Sequence, residues 1–565
     1  MKRRLSLTII ILILVCNAIF WGSQKEGFHI DEMFSYEQVG NIEYGRPEYD
    51  RPDEPCMNTW HSREYYEDFL TVDRTEAFDI SGFYTIANKN GAHPPLYIIM
   101  LGIHISTFFQ DHFTKWSGIS LNIIFFIFAM LMIYDIAKCL FKKERLSLFI
   151  VFLFGICVST VSCVVFIRVY MLFTFFTMAF LDIHLRLLGG KLDSSEHVIE
   201  RLPNYFIVII LLILGSYSHY YFLVFAFFVG LYYWLILLFT KKYRLMLEYT
   251  LTDLIGVYLF YLLCPKVLDN LLYGGRGIEA LNNLTNSSSD YVVQLAHYFQ
   301  EINNRMTGGL GIRFFVALVF AMVVYLIRKY SLSFTLESDK GVILSWHTGE
   351  ERSESGVLHR KKIGTEWVMT ILILISSGSY LLMITKIAPI LSFDTYKDTR
   401  YIFNVFPCFI IVIFFIIDKV FLRCYSSLFW KVAIWSALVA LIMLGYVRNE
   451  VDYLYLGADE QMKQLDKYSD NRAVFVTEQN YIVSNLNVYF TKSKCVYQTN
   501  QSGVSSLSDV FNAIEEQEIL LYVSTDTEEP LAVAQKVCQE LNAHHIKYMF
   551  ETNGRLTAQV FLISF

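Results

Sequence analysis

The chain has 565 residues, of which 54% are hydrophobic and only 18% are charged. Soluble domains carry roughly 25% charged residues, so this composition excludes a soluble enzyme and predicts an integral membrane protein. A formal net charge of -6 without any Lys/Arg-rich block excludes a nucleic-acid-binding protein. Ten scattered cysteines without a C-x-x-C pair exclude a zinc ribbon and a dithiol redox motif.

Eleven apolar runs are long enough to cross a bilayer by the criterion of roughly 20 residues. The first, from Leu5 to Trp21, follows Met-Lys-Arg-Arg and is not followed by a small-residue cleavage site. We interpret it as an uncleaved anchor that enters the membrane from a cytoplasmic N-terminus. The other runs lie near residues 117–138, 146–167, 169–188, 204–219, 221–240, 245–264, 312–327, 367–388, 402–422 and 428–446.

Lysine and arginine residues are concentrated in alternate loops between these runs. They are Lys142, Lys143, Arg145, Arg186, Lys191, Lys241, Lys242, Arg244, the stretch from Arg328 to Lys362, and Arg423. Cytoplasmic loops carry an excess of basic residues, which places these loops inside. The first large loop (about 23–116), the loops 265–311 and 389–401, and the C-terminal tail are then predicted to lie outside.

The segment from Pro94 to Phe109 is apolar but short, and it contains His104. A crossing at this point would turn every later basic loop outward. We therefore predict an amphipathic helix in the outer interface, which begins at Pro94 and Pro95 because missing N–H groups cost nothing at a helix start.

The tail from about 447 to 565 is predicted to be a small α/β domain. Apolar runs typical of strands alternate there with polar helical stretches such as Glu529 to Leu541. The runs are Ala473 to Val476, Ile519 to Val523 and Gln559 to Ile563. Cys495 and Cys538 could form a disulfide on the outer side, although the sequence does not set the pairing.

The first outer loop begins with acidic residues close to the membrane surface. Asp31 and Glu32 follow the first span by only a few residues, so a carboxylate there can reach both an outside hydroxyl and a lipid headgroup, as a general base requires. The alternative is that both residues cap or solvate the following helix. His29, Asp31 and Glu32 could also bind a divalent cation, but adjacent positions rarely converge on one metal.

Two arginine-tyrosine motifs lie at the outer ends of later spans. Arg168 and Tyr170 interrupt an apolar stretch, and Arg400 and Tyr401 begin the tenth span. Two guanidinium groups in one pocket would suit a phosphate, because the fork of N–H groups matches phosphate oxygens. Snorkelling to the interface is the alternative for Arg168. His219, at the top of the fifth span, is at the same level, where an aromatic belt is the alternative.

Taken in order, these motifs resemble those of the GT-C glycosyltransferases. The resemblance is to the family 39 or protein-mannosyltransferase-like group, which includes the aminoarabinose transferases of lipid A. It rests on Asp31-Glu32, on His93-Pro94-Pro95-Leu96-Tyr97, on Arg168 with Tyr170, on His219-Tyr220, and on Arg400-Tyr401 with Pro407. It covers residues 1–446 and implies an all-α polytopic membrane domain, with the α/β domain (447–565) on the extracytoplasmic side.

The resemblance assigns roles to these residues. It implies Asp31 as the catalytic base with Glu32 as its companion. It places Arg168, Tyr170, Arg400 and Tyr401 around a lipid-linked phosphate. Candidates for the substrate pocket are His29, His93, Pro94, Pro95, Tyr97 and His219. One departure is Phe166, because relatives often carry an acidic residue at that position, which puts a second carboxylate in doubt.

The predicted function is that of a multi-pass glycosyltransferase of the plasma membrane with an extracytoplasmic active site. It would move a sugar from a polyprenyl-phosphate donor to a lipid, protein or wall-polymer acceptor with inversion. No cofactor is required by the pattern, although a divalent cation could take part. The alternatives are a glycan ligase or polymerase with a lipid-diphosphate donor, a transporter or flippase, and an inactive sensor or scaffold. A transporter would show paired broken helices and internal symmetry, neither of which is evident in the sequence.

Overall fold

The structure is a computed structural model, and it combines a helical bundle with a mixed β-sheet. It describes residues 2–51, 55–90, 94–189, 198–266, 269, 273, 275–285, 290–330, 333–337, 341–345, 364–388, 396–422, 427–511, 517–527 and 529–565.

Helices fill most of the first 448 residues. In chain order they are α1 (Lys2–Ser23), α2 (Ile30–Gly40), α3 (Arg63–Asp68), α4 (Ile80–Asn90), α5 (Leu96–Phe108), α6 (Lys115–Phe141), α7 (Glu144–Ile156), α8 (Val158–Val165), α9 (Tyr170–Leu188), α10 (Val198–Ser218), α11 (Tyr221–Phe239), α12 (Tyr243–Leu263), α13 (Gly275–Thr285), α14 (Tyr291–Thr307), α15 (Gly311–Tyr330), α16 (Thr365–Ile387), α17 (Phe406–Ile416) and α18 (Leu428–Arg448). A 3-10 helix, Tyr396–Val405, leads into α17.

Within the described residues, nine helices are long and apolar enough to cross a membrane. The number rises to eleven if each of two bent helix pairs counts as one span. The predicted polytopic helical membrane protein is thus confirmed, with eleven spans at the upper count. The orientation of the N-terminus and the side of each loop stay predictions.

Two sharp bends were not detected by the sequence analysis: one lies within the span expected at 146–167, and the other joins the loop expected at 265–311 to the span expected at 312–327. Helices α7 and α8 meet at an angle of 58°, and α14 and α15 meet at 88°. At the second corner Gly308 and Gly309 have φ values of +61° and +86°, which favour glycine. The loop expected at 265–311 is therefore largely helical, because α13 and α14 occupy it.

The first large loop is folded and lies between the bundle and the C-terminal unit. Helix α5 begins after Pro95 and contacts α4 and α6. Its 13 residues span about 20 Å, less than the roughly 30 Å of a bilayer core. This length fits a helix that does not cross the bilayer, but α5 is apolar on nearly all sides, so its predicted amphipathic character is wrong. Its depth in a membrane stays a prediction.

The C-terminal unit is a six-stranded mixed sheet with helices on both faces. Its additional elements are α19 (Ala458–Leu465), α20 (Ile482–Phe490), α21 (Leu507–Phe511) and α22 (Pro530–Glu540). The strands are β1 (Thr59–Ser62), β4 (Ala473–Val476), β5 (Cys495–Thr499), β6 (Glu518–Ser524), β7 (His545–Glu551) and β8 (Ala558–Ser564), while β2 (Ser333–Glu337) and β3 (Gly341–Ser345) form a separate hairpin. The strand order is β1-β5-β4-β6-β8-β7, with β5, β4 and β6 parallel.

The edge strand β1 comes from the first outer loop. It pairs antiparallel with β5, and Trp60 lies opposite Tyr497. Helix α3 follows directly and adds Tyr66 and Phe69 to the core beneath the sheet. The predicted division at residues 446 and 447 stays a prediction, but the sheet of the C-terminal unit includes a strand from the N-terminal part. No disulfide joins Cys495 and Cys538.

Candidate active site

The start of α2 brings the first acidic residues into the protein interior. His29 is the N-cap residue, and its Nδ1 accepts a hydrogen bond from the Asp31 backbone N–H at 3.0 Å. The Glu32 carboxylate accepts one from the His29 backbone N–H at 2.6 Å, which completes a capping box. Capping, the alternative considered for the acidic pair, therefore describes Glu32 and His29. Asp31 is left to face another part of the site.

Glu32 is fully buried, and both of its carboxylate oxygens accept hydrogen bonds. Lys25 Nζ donates to its Oε2 at 2.9 Å, and the Ile167 backbone N–H donates to its Oε1 at 2.7 Å. Burial raises the pKa of Glu32, and the neighbouring ammonium group limits the rise. Lys25 also donates to the Tyr453 backbone carbonyl at 2.6 Å. Glu32 thus connects the start of α2 to the break after α8, and its partner Lys25 connects it to the segment after α18.

Asp31 forms an ion pair with a buried arginine. Its Oδ2 accepts a hydrogen bond from Arg400 Nη1. The Asp31 side chain retains 16% of its exposure, whereas that of Arg400 retains 6%. Arg400 Nη2 also donates to the Tyr401 hydroxyl at 3.3 Å. The sequence placed these residues near one another, and the structure brings them into direct contact.

The second predicted arginine, Arg168, contacts α2 one helical turn after Asp31. Arg168 occupies the break between α8 and α9, is buried, and donates to Ser35 Oγ at 2.7 Å. Ser35 follows Asp31 by four residues, so the two side chains point to the same side of α2. This serine was missed by the sequence analysis, although its i+4 spacing from Asp31 was available as a signal.

Aromatic side chains line the space beside the two arginines. Tyr170 lies 5.7 Å from His219 and 6.2 Å from Tyr401, between ring centroids. Tyr221 is 5.4 Å from Tyr401, and His219 stacks on Phe173 at 5.1 Å. The predicted donor-site residues and His219 thus lie around one pocket.

Phe166 occupies the place where relatives often carry an acid, and it is fully buried. Its ring lies parallel to that of Tyr453 at 3.9 Å and to that of Tyr170 at 5.6 Å. No second carboxylate stands there, which agrees with the departure noted in the sequence. The sequence analysis missed Lys25 and Tyr453, because their partners are remote in the chain.

The proline motif contributes to the site indirectly, through contacts with the turn that carries Arg168. Pro94 and Pro95 are buried at the start of α5, and His93 lies outside the described residues. The hydroxyl of Tyr97 lies 3.5 Å from Asn122 Oδ1, and Asn122 Nδ2 donates to the Phe166 carbonyl at 2.7 Å. Tyr97 therefore supports the turn that carries Arg168.

A metal centre was considered for His29, Asp31 and Glu32. In the part of the chain that the structure describes, no group of three or more His, Cys, Asp or Glu side chains is arranged to hold a metal ion. His29 Nδ1 and both Glu32 oxygens already accept hydrogen bonds from the protein. The donor set of this cluster does not fit a cation.

Comparison with known proteins gave matches among solved structures only. No protein-family model matches the chain, and no curated protein matches it either. ArnT from Cupriavidus metallidurans bound to undecaprenyl phosphate is similar with a TM-score of 0.50 and 10% identity, over 98% of this chain and 97% of ArnT. The apo state of that ArnT gives 0.47 at 10% identity, over 98% of both chains.

The archaeal oligosaccharyltransferase AglB from Archaeoglobus fulgidus, in complex with an inhibitory peptide and a dolichol-phosphate, gives a TM-score of 0.41 at 10% identity. That match covers 92% of this chain and 69% of AglB. The first of these likenesses extends over nearly the whole of both chains. This chain therefore shares the fold of that ArnT.

Proposed function

We propose that this protein is a membrane glycosyltransferase that transfers a sugar from a polyprenyl-phosphate donor to an acceptor hydroxyl, with inversion at the anomeric carbon. One observation carries the proposal. A partly accessible carboxylate, Asp31, pairs with the buried Arg400, and the buried Arg168 binds Ser35 one helical turn further along the same helix. A base beside paired phosphate-binding groups is the arrangement that displacement of a phosphate leaving group requires.

The donor class is proposed from the arginines and from the shared fold. The ArnT structure with this fold holds undecaprenyl phosphate. Arg168 and Arg400 supply the planar N–H donors that suit a phosphate monoester or diester. The active site is proposed to face the outside of the plasma membrane, where nucleotide sugars are not supplied. A lipid-linked donor does not depend on a supply of nucleotide sugars.

An apolar cavity inside the bundle offers a place for the lipid tail. An apolar cavity of about 340 Å³ lies between α14, α15, α17 and α18. Its lining includes Phe299, Met306, Phe315, Phe409 and Ile442. Met306 follows Arg305, which pairs with Asp452 Oδ2 at 2.6 Å, one residue before Tyr453. We propose that the polyprenyl chain occupies this cavity.

The ion pair between Asp31 and Arg400 suggests an order of events. An arriving donor phosphate competes with Asp31 for the Arg400 guanidinium. The released carboxylate then accepts the proton of the acceptor hydroxyl as that oxygen attacks the anomeric carbon. The bond from the anomeric carbon to the phosphate oxygen breaks, and its electron pair leaves with the phosphate, which both arginines stabilise. Aspartate is a weak base toward an alcohol, so the proton moves late in the step.

Glu32 has a different part in this proposal. Its oxygens accept hydrogen bonds from Lys25, His29 and Ile167, and its side chain is fully buried, so it is not presented to a substrate. It fixes the start of α2 against the turn that carries Arg168. Glu32 is thus proposed as a positioning residue, and Asp31 alone as the base.

The experiment is a comparison of Asp31→Asn with the wild-type protein, both purified from the native membrane. General-base removal lowers turnover by about 10²- to 10⁴-fold. The donor should remain bound, because the arginines are intact, and should accumulate on the variant. Mass spectrometry of co-purifying lipids would then identify the polyprenyl-phosphate sugar.

Asp73→Asn is the matched control. Asp73 lies in the same loop, is exposed, and caps a local turn that asparagine can also cap. It should behave as wild type in both turnover and lipid content. Unchanged turnover in Asp31→Asn would refute the assignment of the base. A lipid diphosphate in place of the monophosphate would favour the ligase or polymerase alternative.

A further inference from the structure

The segment that leaves the last span has an unusual backbone conformation. Tyr453 and Tyr455 have φ values of 65° and 52°. Bulky side chains rarely adopt this left-handed region, which costs stability unless the surroundings enforce it. Such strain is found disproportionately at functional sites, and this segment packs against the turn that carries Arg168.

The ring of Tyr453 holds the turn that carries Arg168. It is buried and stacks on Phe166 at 3.9 Å with an interplanar angle of 9°. The ring of Phe166 also lies parallel to that of Tyr170, with 5.6 Å between the centroids. The next residue, Ile167, donates to Glu32, and Arg168 follows. The ring of Tyr453 therefore belongs to a group of three parallel rings that includes Tyr170 of the donor pocket.

Tyr453 also interacts electrostatically with Arg400, and the guanidinium group opposes the rise that burial imposes on the pKa of Tyr453. The backbone of the same segment is fixed as well. The Tyr453 carbonyl accepts from Lys25, and Asp452 forms its ion pair with Arg305.

We propose that Tyr453 is a positioning residue of the phosphate pocket, supplied by the segment that joins the last span to the α/β unit. Its ring fixes the turn of Arg168, and its hydroxyl orients Arg400. This inference rests on the proposed function, since it concerns the same pocket. It makes the junction between the two units part of the anion site.

The test measures anion binding to the full-length protein in detergent. Two probes are titrated separately, undecaprenyl phosphate and inorganic pyrophosphate. Tyr453→Phe keeps the ring and removes the hydroxyl, whereas Tyr453→Leu removes the stack as well. We expect the dissociation constant to rise by about three- to tenfold in Tyr453→Phe, the size of one lost polar interaction. Tyr453→Leu should weaken binding further, and the melting temperature of Tyr453→Phe should stay unchanged.

Tyr446→Phe is the matched control. Tyr446 lies in the last turn of α18, just before the segment that carries Tyr453, and its hydroxyl accepts a hydrogen bond from Trp21 Nε1 at 3.1 Å. It should bind both probes as wild type does. Equal binding by wild type, Tyr453→Phe and Tyr453→Leu would overturn the inference, as would equal weakening in Tyr446→Phe.

The two probes separate this inference from the proposed function. If the wild-type protein binds pyrophosphate but not undecaprenyl phosphate, the proposed donor is wrong, and the pyrophosphate titrations alone decide the role of Tyr453. If it binds neither probe, the pocket is not an anion site and both proposals fall.

Discussion

Lys25 and Glu32 form an ion pair with no exposure on either side chain. Taking two charges out of water is costly, and their attraction repays the cost only when further hydrogen bonds satisfy both groups. Here the backbone N–H groups of His29 and Ile167 and the carbonyl of Tyr453 supply those bonds. The pair is therefore stable as a unit and vulnerable to the loss of one member.

Lys25→Met should lower the free energy of unfolding by about 3–5 kcal/mol, because it leaves a buried carboxylate without its cation. The double variant Lys25→Met/Glu32→Gln should recover much of that loss. Denaturant unfolding in detergent measures both. Lys142→Met is the control, since Lys142 pairs with Glu366 at 2.6 Å while 72% exposed. Such pairs contribute about 0–1 kcal/mol, so an equal loss in both single variants would contradict the argument.

The residues that sequence alone could identify are those whose chemistry is unusual for their position. Asp31, Arg168 and Arg400 are charges at the edge of apolar runs, and the structure brings them to one pocket. Lys25 and Tyr453 carried no such signal. Their role depends on a hydrogen bond between two residues that are 428 positions apart in the chain. No local sequence pattern predicts such a contact.

Helix α2 is an element shared by two units. One face directs Asp31 and Ser35 at the arginines, while Glu37 lies against α20 of the C-terminal unit. Glu37 is fully buried, and its Oε1 accepts from Asn487 Nδ2 at 3.1 Å. Burial raises the pKa of Glu37 to about 8, with a further rise from Glu48 and a small lowering from Arg46. The contact between the helices therefore holds a proton at neutral pH.

This proton makes stability depend on pH. Glu37 binds its proton more tightly in the folded state than in the unfolded state, where the pKa is near 4.5. Its stabilising contribution is complete below about pH 4.5 and is lost as the pH rises to about 8. Between these values wild type should lose up to about 1.4 kcal/mol per pH unit relative to Glu37→Gln.

Unfolding midpoints measured from pH 5 to 8.5 test this slope. Glu43→Gln, an exposed position just beyond α2, serves as the control and should follow wild type across the range. A constant difference between wild type and Glu37→Gln would show that Glu37 does not titrate in this window.

Elements were predictable where a periodic apolar pattern is long. The spans, the strands β4, β6 and β8, and helix α22 follow from such patterns. The bent pair α14 and α15 was missed because α14 is largely polar and the corner lies at two glycines. Strand β1 was missed because four residues, Thr-Trp-His-Ser, show no alternation until their partner strand is known.

In the molecule as a whole, several contacts join the N-terminal and C-terminal parts, and three of them are central to the candidate site. Strand β1 completes the sheet, α2 packs on α20, and Lys25 donates to Tyr453. A C-terminal unit joined in this way does more than shape access for an acceptor. It holds the helix that carries the proposed base.

Asn487→Leu should therefore increase hydrogen exchange in α2, although the substitution lies in the other unit. It leaves the Glu37 carboxyl without its amide donor in a buried site. Asn485→Leu is the control in the same helix, because Asn485 donates to the Leu556 carbonyl within the C-terminal unit. Exchange–mass spectrometry of residues 30–40 compares them. Equal exchange in both variants would mean that α2 does not depend on α20.

The borrowed edge strand also has a consequence for biosynthesis. Tyr66, in the helix that follows β1, accepts a hydrogen bond from Gln498, which lies 432 residues later in the chain. At about 5–20 residues per second, a ribosome needs about 20–90 s to produce that distance. During this time the segment that bears Asp31 waits without its final neighbours. The candidate site is therefore completed last. A nascent chain whose first spans are already inserted in the membrane is still unable to consume lipid.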